Sequence, residues 1–167
     1  MGIDSYILAS LGCNLHLCEA NPQIYALLAD AKIRALNSAD QQVQQIAARM
    51  QIYYGNSLEL IAQIAQTQSI DIIYFDPMFP KSKKSALPKN SMQVLQQIAT
   101  LNTLEQESAL FQIAQHHAKL RIVVKRHKSS AFFANLVPQA QIIGKTNRFD
   151  LYMGHTPHID TLERTLS

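Results

Sequence analysis

Short apolar runs alternate along the chain with longer stretches in which apolar residues recur every three or four positions, the patterns of strands and of amphipathic helices. Asp4 to Leu11 keeps the helical spacing and is ended by Gly12. Asn14 to Cys18 reads as a strand that closes on Glu19. Asn21-Pro22 then supplies a capping side chain and a proline suited to a first helical turn, and Ile24, Leu27, Leu28 and Ala31 would form that helix's apolar face. The Gln-rich run from Gln41 to Met50 predicts a second helix or a continuation of the first. Ile52 to Tyr54, before Gly55, is a short strand, and Ser57 to Gln66 a helix. Ile70 to Phe75 is almost continuously apolar, as a buried parallel strand is.

From Asp76 to Asn90 the pattern breaks into a loop holding three prolines and four lysines. Helical spacing resumes over Met92 to Ile98 and over Leu104 to His117. Arg121 to Lys125 is a further strand, and Ser129 to Leu136 a short helix. Gln141 to Ile143 and Arg148 to Tyr152 are two strands joined by a tight turn. The alternation predicts an α/β fold, one sheet covered on both faces by helices, with an antiparallel strand pair at its end. Neither an internal repeat nor a linker divides the chain.

Composition narrows the class. At 167 residues, with 47% apolar and 16% charged side chains, the chain is domain-sized and excludes disordered, collagenous and coiled-coil proteins. No run reaches the roughly eighteen apolar residues of a membrane span, and Met1-Gly2-Ile3-Asp4 lacks the basic start of a signal peptide, so a cytoplasmic protein is expected. Cys13 and Cys18 suit reduced thiols on one buried element rather than a disulfide framework. The net charge of +3 is unevenly spread. Residues 1–76 carry three basic and seven acidic side chains, whereas residues 77–149 carry eleven basic ones against only Glu105 and Glu107. That middle segment is where a polyanion would land.

The sharpest chemical signal is Tyr74-Phe75-Asp76-Pro77-Met78-Phe79-Pro80, directly after the most apolar strand. Ligands of open α/β sheets bind outside the carboxyl ends of strands. There Asp76 could accept a hydrogen bond from an exocyclic amine, the Pro77 region offers a rigid backbone carbonyl, and Phe79 a face for stacking. Asp-Pro alone would merely stop a strand. Glu19 ends an earlier strand, where nucleotide-binding α/β folds hold ribose hydroxyls with a carboxylate. Asn56-Ser57 ends a third, although helix capping before Leu58 explains these two equally well. The histidines, among them His116, His117, His155 and His158, show no metal-ligand spacing, and no metal is expected.

Six segments together resemble the bacterial RsmJ family: Leu8 to Cys13, Glu19-Ala20-Asn21-Pro22, Asp76 to Pro80, Lys83-Lys84-Ser85-Ala86-Leu87, Val123-Val124-Lys125-Arg126 and Arg148 to Tyr152. The resemblance runs from Gly2 to about Thr156; residues 1–156 are expected to be a methyltransferase domain and 157–167 a C-terminal tail. It implies a Rossmann-like class I sheet and S-adenosylmethionine-dependent methylation of guanine N2 in 16S small-subunit ribosomal RNA. By position it implies Ile3-Asp4 at the methionine part of the cofactor, Glu19-Ala20 at the ribose, Asn56-Ser57 near the adenine, and Asp76 between cofactor and target base. The catalytic set is then Asp76, Pro77 and Phe79, with Phe79 stacking on a flipped base.

The family has Glu-Arg where this chain has Glu19-Ala20, and it places a strand with a glycine-rich turn before the position of Met1. That strand would lie between the strands at 14–18 and 70–75. A chain beginning at Met1 would leave both with an exposed edge and bind cofactor poorly. Lys81, Lys83, Lys84, Lys89, Lys125, Arg126 and Lys128 follow the ends of neighbouring parallel strands and are expected to grip RNA phosphates. The competing readings are a noncatalytic or truncated RNA-binding domain, an adenine-N6 DNA methyltransferase, and a nicotinamide-dependent dehydrogenase using Glu19. The oligomeric state is open.

Overall fold

A computed structural model describes residues 2–77 and 103–155. They fall into two compact units, residues 2–64 and residues 65–77 with 103–155.

In the first unit α1 (Ile3–Ser10) leads through the Gly12 turn into β1 (Leu15–Glu19). Gly12 has φ +100°, a conformation that favours glycine. Then follow α2 (Pro22–Leu36), α3 (Gln41–Ala48), β2 (Met50–Tyr54) and the start of α4 (Ser57–Thr67). Asn21 starts α2 by accepting from the Gln23 and Ile24 amides at 3.0 and 3.1 Å, with Pro22 in the first turn. Asp40 does the same for α3 through the Gln42 amide at 2.8 Å, so the Gln-rich run is a separate helix. Met50, expected in that helix, instead opens β2. Strands β1 and β2 are parallel, Leu15 facing Met50 and Glu19 facing Tyr54. Ala9, Ile46 and Met50 form a small buried cluster, with Leu15 and Leu17 packed on it. On α2 only Ile24 is buried; Leu27 and Ala31, expected on the same face, are exposed, so the covered stripe is narrower than the apolar spacing suggests.

The second unit contains β3 (Ile70–Phe75), α5 (Leu104–His117), β4 (Ala118–His127), a 3₁₀ turn (Phe133–Asn135), β5 (Ala140–Ile143) and β6 (Asn147–Met153). Its sheet has the order β3-β4-β6-β5, parallel between β3 and β4 and antiparallel for the rest. A reciprocal cap between Thr103 and Gln106 starts α5. Phe111 of α5 meets the edge of Tyr152 at 5.0 Å, and Ile122, Val124 and Phe133 are fully buried. The antiparallel hairpin at the end is as expected, closed by the Gly144 amide on the Asn147 carbonyl at 2.8 Å.

Four expectations change. The single sheet appears among the described residues as a two-stranded and a four-stranded sheet, in which β1 and β3 each pair with one neighbour only. Strand β3 is less buried than its apolar run suggests: Ile73 is buried, but Ile72 is 52% exposed. The inner strand β4 takes that place. The helix expected over 129–136 is only the turn at Phe133–Asn135, because Ala134 and Asn135 adopt left-handed backbone angles, φ 51° and 56°, that no helix continues. The two cysteines do not share an element. Cys13 is exposed before β1, while burial pushes the Cys18 thiol on β1 up to about 11. No helix among the described residues is long and apolar enough to cross a membrane.

Candidate active site

Asp76 and Pro77 follow the last residue of β3 directly. Phe75 faces Val124 in the parallel pairing, which sets Lys125 beside Asp76, and its ammonium lies 3.5 Å from Asp76 Oδ2. The Asp76 side chain is 43% exposed and that of Lys125 19%. The carboxylate is therefore open to a ligand on one side and held by a cation on the other. Phe79, Lys81, Lys83, Lys84 and Lys89 lie outside the described residues.

Behind Asp76 stands a buried chain of contacts. Phe75 stacks on Phe133 with ring centres 5.2 Å apart, and the Arg126 guanidinium lies over the same Phe133 ring at 5.7 Å. Arg126 donates through Nη1 to Glu107 Oε1 at 2.9 Å and through Nε to the Ala131 carbonyl at 3.1 Å. The other carboxylate oxygen of Glu107 accepts from the Ala134 amide at 2.9 Å, the first left-handed residue of the turn. A phosphate contact by Arg126 would require breaking this buried pair, whereas Lys128 is exposed and Lys125 partly so. Sequence reasoning gave Glu107 and Phe133 no role. The signal was available for Glu107, one of only two acids in a stretch of eleven bases.

Arg148 and Asp150, within one of the segments that carry the family resemblance, are both buried and joined at 2.8 Å from Nε to Oδ1. The pair is built into the sheet, with Gln141 Nε2 also donating to Asp150 Oδ1 at 2.6 Å. Asp150 and burial together push the Tyr152 hydroxyl up to about 12, burial being the larger cause. That hydroxyl donates to the Leu136 carbonyl at 2.9 Å.

In the first unit the parallel pairing brings the ends of β1 and β2 together. The Gly55 amide donates to the Glu19 carbonyl at 3.0 Å, so Glu19-Ala20 and Gly55-Asn56-Ser57 are neighbours. Glu19 Oε1 accepts from the Asn21 amide at 2.8 Å, which fixes the carboxylate at the strand end. Asn56 accepts from the Leu58 amide at 3.0 Å and so caps α4, as the plainer reading of Asn56-Ser57 had it. Ile3, 68% exposed, and Asp4 stand in the first turn of α1. Tyr54, which the sequence reading did not single out, is 56% exposed opposite Glu19, its ring 5.4 Å from that of Tyr25. Among the described residues, no group of three or more His, Cys, Asp or Glu side chains could hold a metal ion.

Within each unit a carboxylate stands at the carboxyl end of a parallel-paired strand, Glu19 on β1 and Asp76 after β3, the position at which α/β proteins of the nucleotide-binding class carry their ligand contacts. The sequence profile of the family described as "Putative SAM-dependent methyltransferase" matches residues 1–154, and the chain belongs to that family. A ribosomal RNA small subunit methyltransferase J from Marinobacter nauticus is 42% identical over 152 residues, 91% of this chain and 53% of that protein. The protein of the same name from Chromobacterium violaceum is 40% identical over 154 residues, 92% of this chain and 58% of its own length. A crystal structure of a SAM-dependent methyltransferase from Neisseria gonorrhoeae superposes with a TM-score of 0.73 at 33% identity, covering 92% of this chain and 61% of that one. The resemblance to the RsmJ family read from the motifs is thus borne out across nearly the whole chain. The chain spans a little over half the length of these relatives.

Proposed function

We propose that the protein transfers a methyl group from S-adenosylmethionine to the exocyclic N2 of a guanine in 16S small-subunit ribosomal RNA, in the cytoplasm. The observation that carries this reading is Asp76: a half-exposed carboxylate at the carboxyl end of a parallel strand, followed by Pro77 and held by Lys125, in a chain of the methyltransferase family.

The residues fit the cofactor. Glu19 is oriented by the Asn21 amide through one oxygen and keeps lone pairs of the other for ribose hydroxyls. Asn56-Ser57 lies next to it, within reach of an adenine, and Ile3-Asp4 is assigned to the methionine end. When bound, S-adenosylmethionine supplies an electrophilic methyl group, so the protein has mainly to orient the nucleophile. The lone pair of guanine N2 is delocalised into the ring. Asp76 and the Pro77 carbonyl would accept its two N–H bonds and favour a pyramidal nitrogen with its lone pair free. Lys125, 3.5 Å from one carboxylate oxygen, limits the rotation of the Asp76 side chain. Phe79 is assigned to stack on the base, and Lys81, Lys83, Lys84, Lys89, Lys125 and Lys128 to attract phosphates.

The test is methyl transfer to small ribosomal subunits from a strain lacking the modification, using the full-length protein. Asp76→Ala should abolish transfer while leaving cofactor binding, measured by calorimetry, within a few-fold of wild type. Transfer by Asp76→Ala at the wild-type rate would overturn the assignment. Methylation of adenine in DNA in place of ribosomal RNA would move the protein to the competing class.

A further inference from the structure

In the same unit as Asp76 lies a cleft of about 640 Å³ of whose lining the proposed reaction draws only on Lys128, as a phosphate contact. Its wall is the segment after β4, from Lys128 through Phe132, and β5 and β6 contribute Gln141 and Arg148. Its size is that of a small-ligand site. The segment is held in shape by the guanidinium beneath it. Arg148 Nη1 donates to the His127 and Lys128 carbonyls at 3.2 and 2.7 Å, and Nε is fixed by Asp150. Nη2 makes only a long contact of 3.5 Å to the Ala131 carbonyl, so one of its two N–H groups has no acceptor among the described residues. Arg148 also lies over the Phe132 ring at 5.0 Å.

The resulting surface has three parts. Phe132 is a half-buried aromatic face backed by a cation, Lys128 is an exposed ammonium, and Ser130 offers a hydroxyl, while the Ser129 hydroxyl is engaged with His127 Nδ1 at 2.7 Å. An aromatic plane next to a cation and a short hydroxyl donor matches one nucleotide of a single strand, its base on the ring and its phosphate on the lysine and the Ser130 hydroxyl. An acidic peptide would use the lysine but leave the aromatic face without a role. The cleft is also correctly placed. Strands β3 and β4 are parallel, so the segment after β4 leaves the sheet at the same end as Asp76, and Phe132 is adjacent to Phe133, which stacks on Phe75.

We propose that this cleft is a nucleotide-binding subsite, in which Phe132, Lys128 and Ser130 hold a nucleotide of the single-stranded RNA near the one presented to Asp76. The proposal rests on the RNA-substrate reading above. Its function is grip: a base flipped toward Asp76 leaves a distorted strand, and stacking its neighbour on Phe132 would anchor that strand.

The experiment titrates the full-length protein into a short fluorescein-labelled single-stranded RNA of small-subunit ribosomal sequence, at several salt concentrations. Phe132→Ala should weaken binding by about tenfold, the loss of one base–aromatic stack. Lys128→Glu, an exposed change that does not threaten folding, should weaken binding and lower the slope of log affinity against log salt by about one. Circular dichroism checks that Phe132→Ala is folded, and Lys128→Glu decides the matter if it is not. Wild-type RNA binding left unchanged by Lys128→Glu, or by a folded Phe132→Ala, would overturn the subsite alone. Absence of RNA binding by the wild type would overturn the RNA reading itself. Competition by polyglutamate as strong as by unlabelled RNA would assign the cleft to acidic chains and also overturn the proposal.

Discussion

The two strand-end carboxylates, Glu19 in the first unit and Asp76 in the second, each stand at the carboxyl end of a strand paired in parallel with a neighbour, but they are secured in different ways. Glu19 is fixed by an amide two residues away, and the neighbouring strand end is fixed by Asn56 capping its own helix. Asp76 is held by Lys125, and the strand that carries it rests on Phe133, Arg126 and Glu107, residues up to 58 positions further along the chain. Local anchoring makes a position easy to build and cheap to alter. Long-range anchoring makes the Asp76 carboxylate depend on a buried network, and damage there should spread.

The largest test of that contrast is Glu107→Ala. It leaves Arg126 buried without its partner and removes the acceptor of the Ala134 amide, and should cost roughly 3–5 kcal/mol in urea unfolding. A cost below that of an exposed pair would mean that the network does not support Asp76. Next is Tyr152→Phe, which removes the bond to the Leu136 carbonyl and should cost about 1.5 kcal/mol near neutral pH. It should also alter the alkaline profile. The Tyr152 hydroxyl goes from 10.0 in the unfolded chain to about 12 in the fold, so its neutral form stabilises the fold in full below pH 10 and that stability is lost as pH rises through 12. The wild type should lose stability across that window, and Tyr152→Phe should lose less; equal losses would contradict the shift.

On the locally anchored side, Asn21→Ala should cost about 1 kcal/mol, the usual worth of a helix cap, with no effect on the Asp76 side. The smallest effect on stability belongs to Lys125→Ala, at most about 1 kcal/mol because the pair is partly solvated. Its effect on methyl transfer should be larger than on unfolding, and a variant with wild-type transfer would remove Lys125 from the site.

The same contrast explains what the sequence disclosed. The cap at Asn21, the ends of β1 and β2, and the terminal hairpin are all written in residues a few positions apart, and they stand where the spacing put them. The place of Asp76 directly after β3 was legible because an apolar run ends there against proline. Glu107 stood out by its charge, but its partner did not, because a glutamate on a helix gives no local sign of an arginine 19 residues away on a strand. Nor was the turn at 133–135 legible, because Ala134 has ordinary helical preference and takes a left-handed angle only when a distant carboxylate claims its amide. The buried character of β3 was overread because apolar content does not report which residues of a strand are covered: Ile73 is buried and Ile72 is exposed.

That turn also makes one helix the mould of a distant loop. A left-handed alanine is disfavoured by about 1–2 kcal/mol, whereas asparagine visits that region readily, so the cost at the turn falls on Ala134 rather than on Asn135. The bond from the Ala134 amide to Glu107 offsets it, and the shape of the segment that carries Phe133 against Phe75 is thereby set by a side chain of α5.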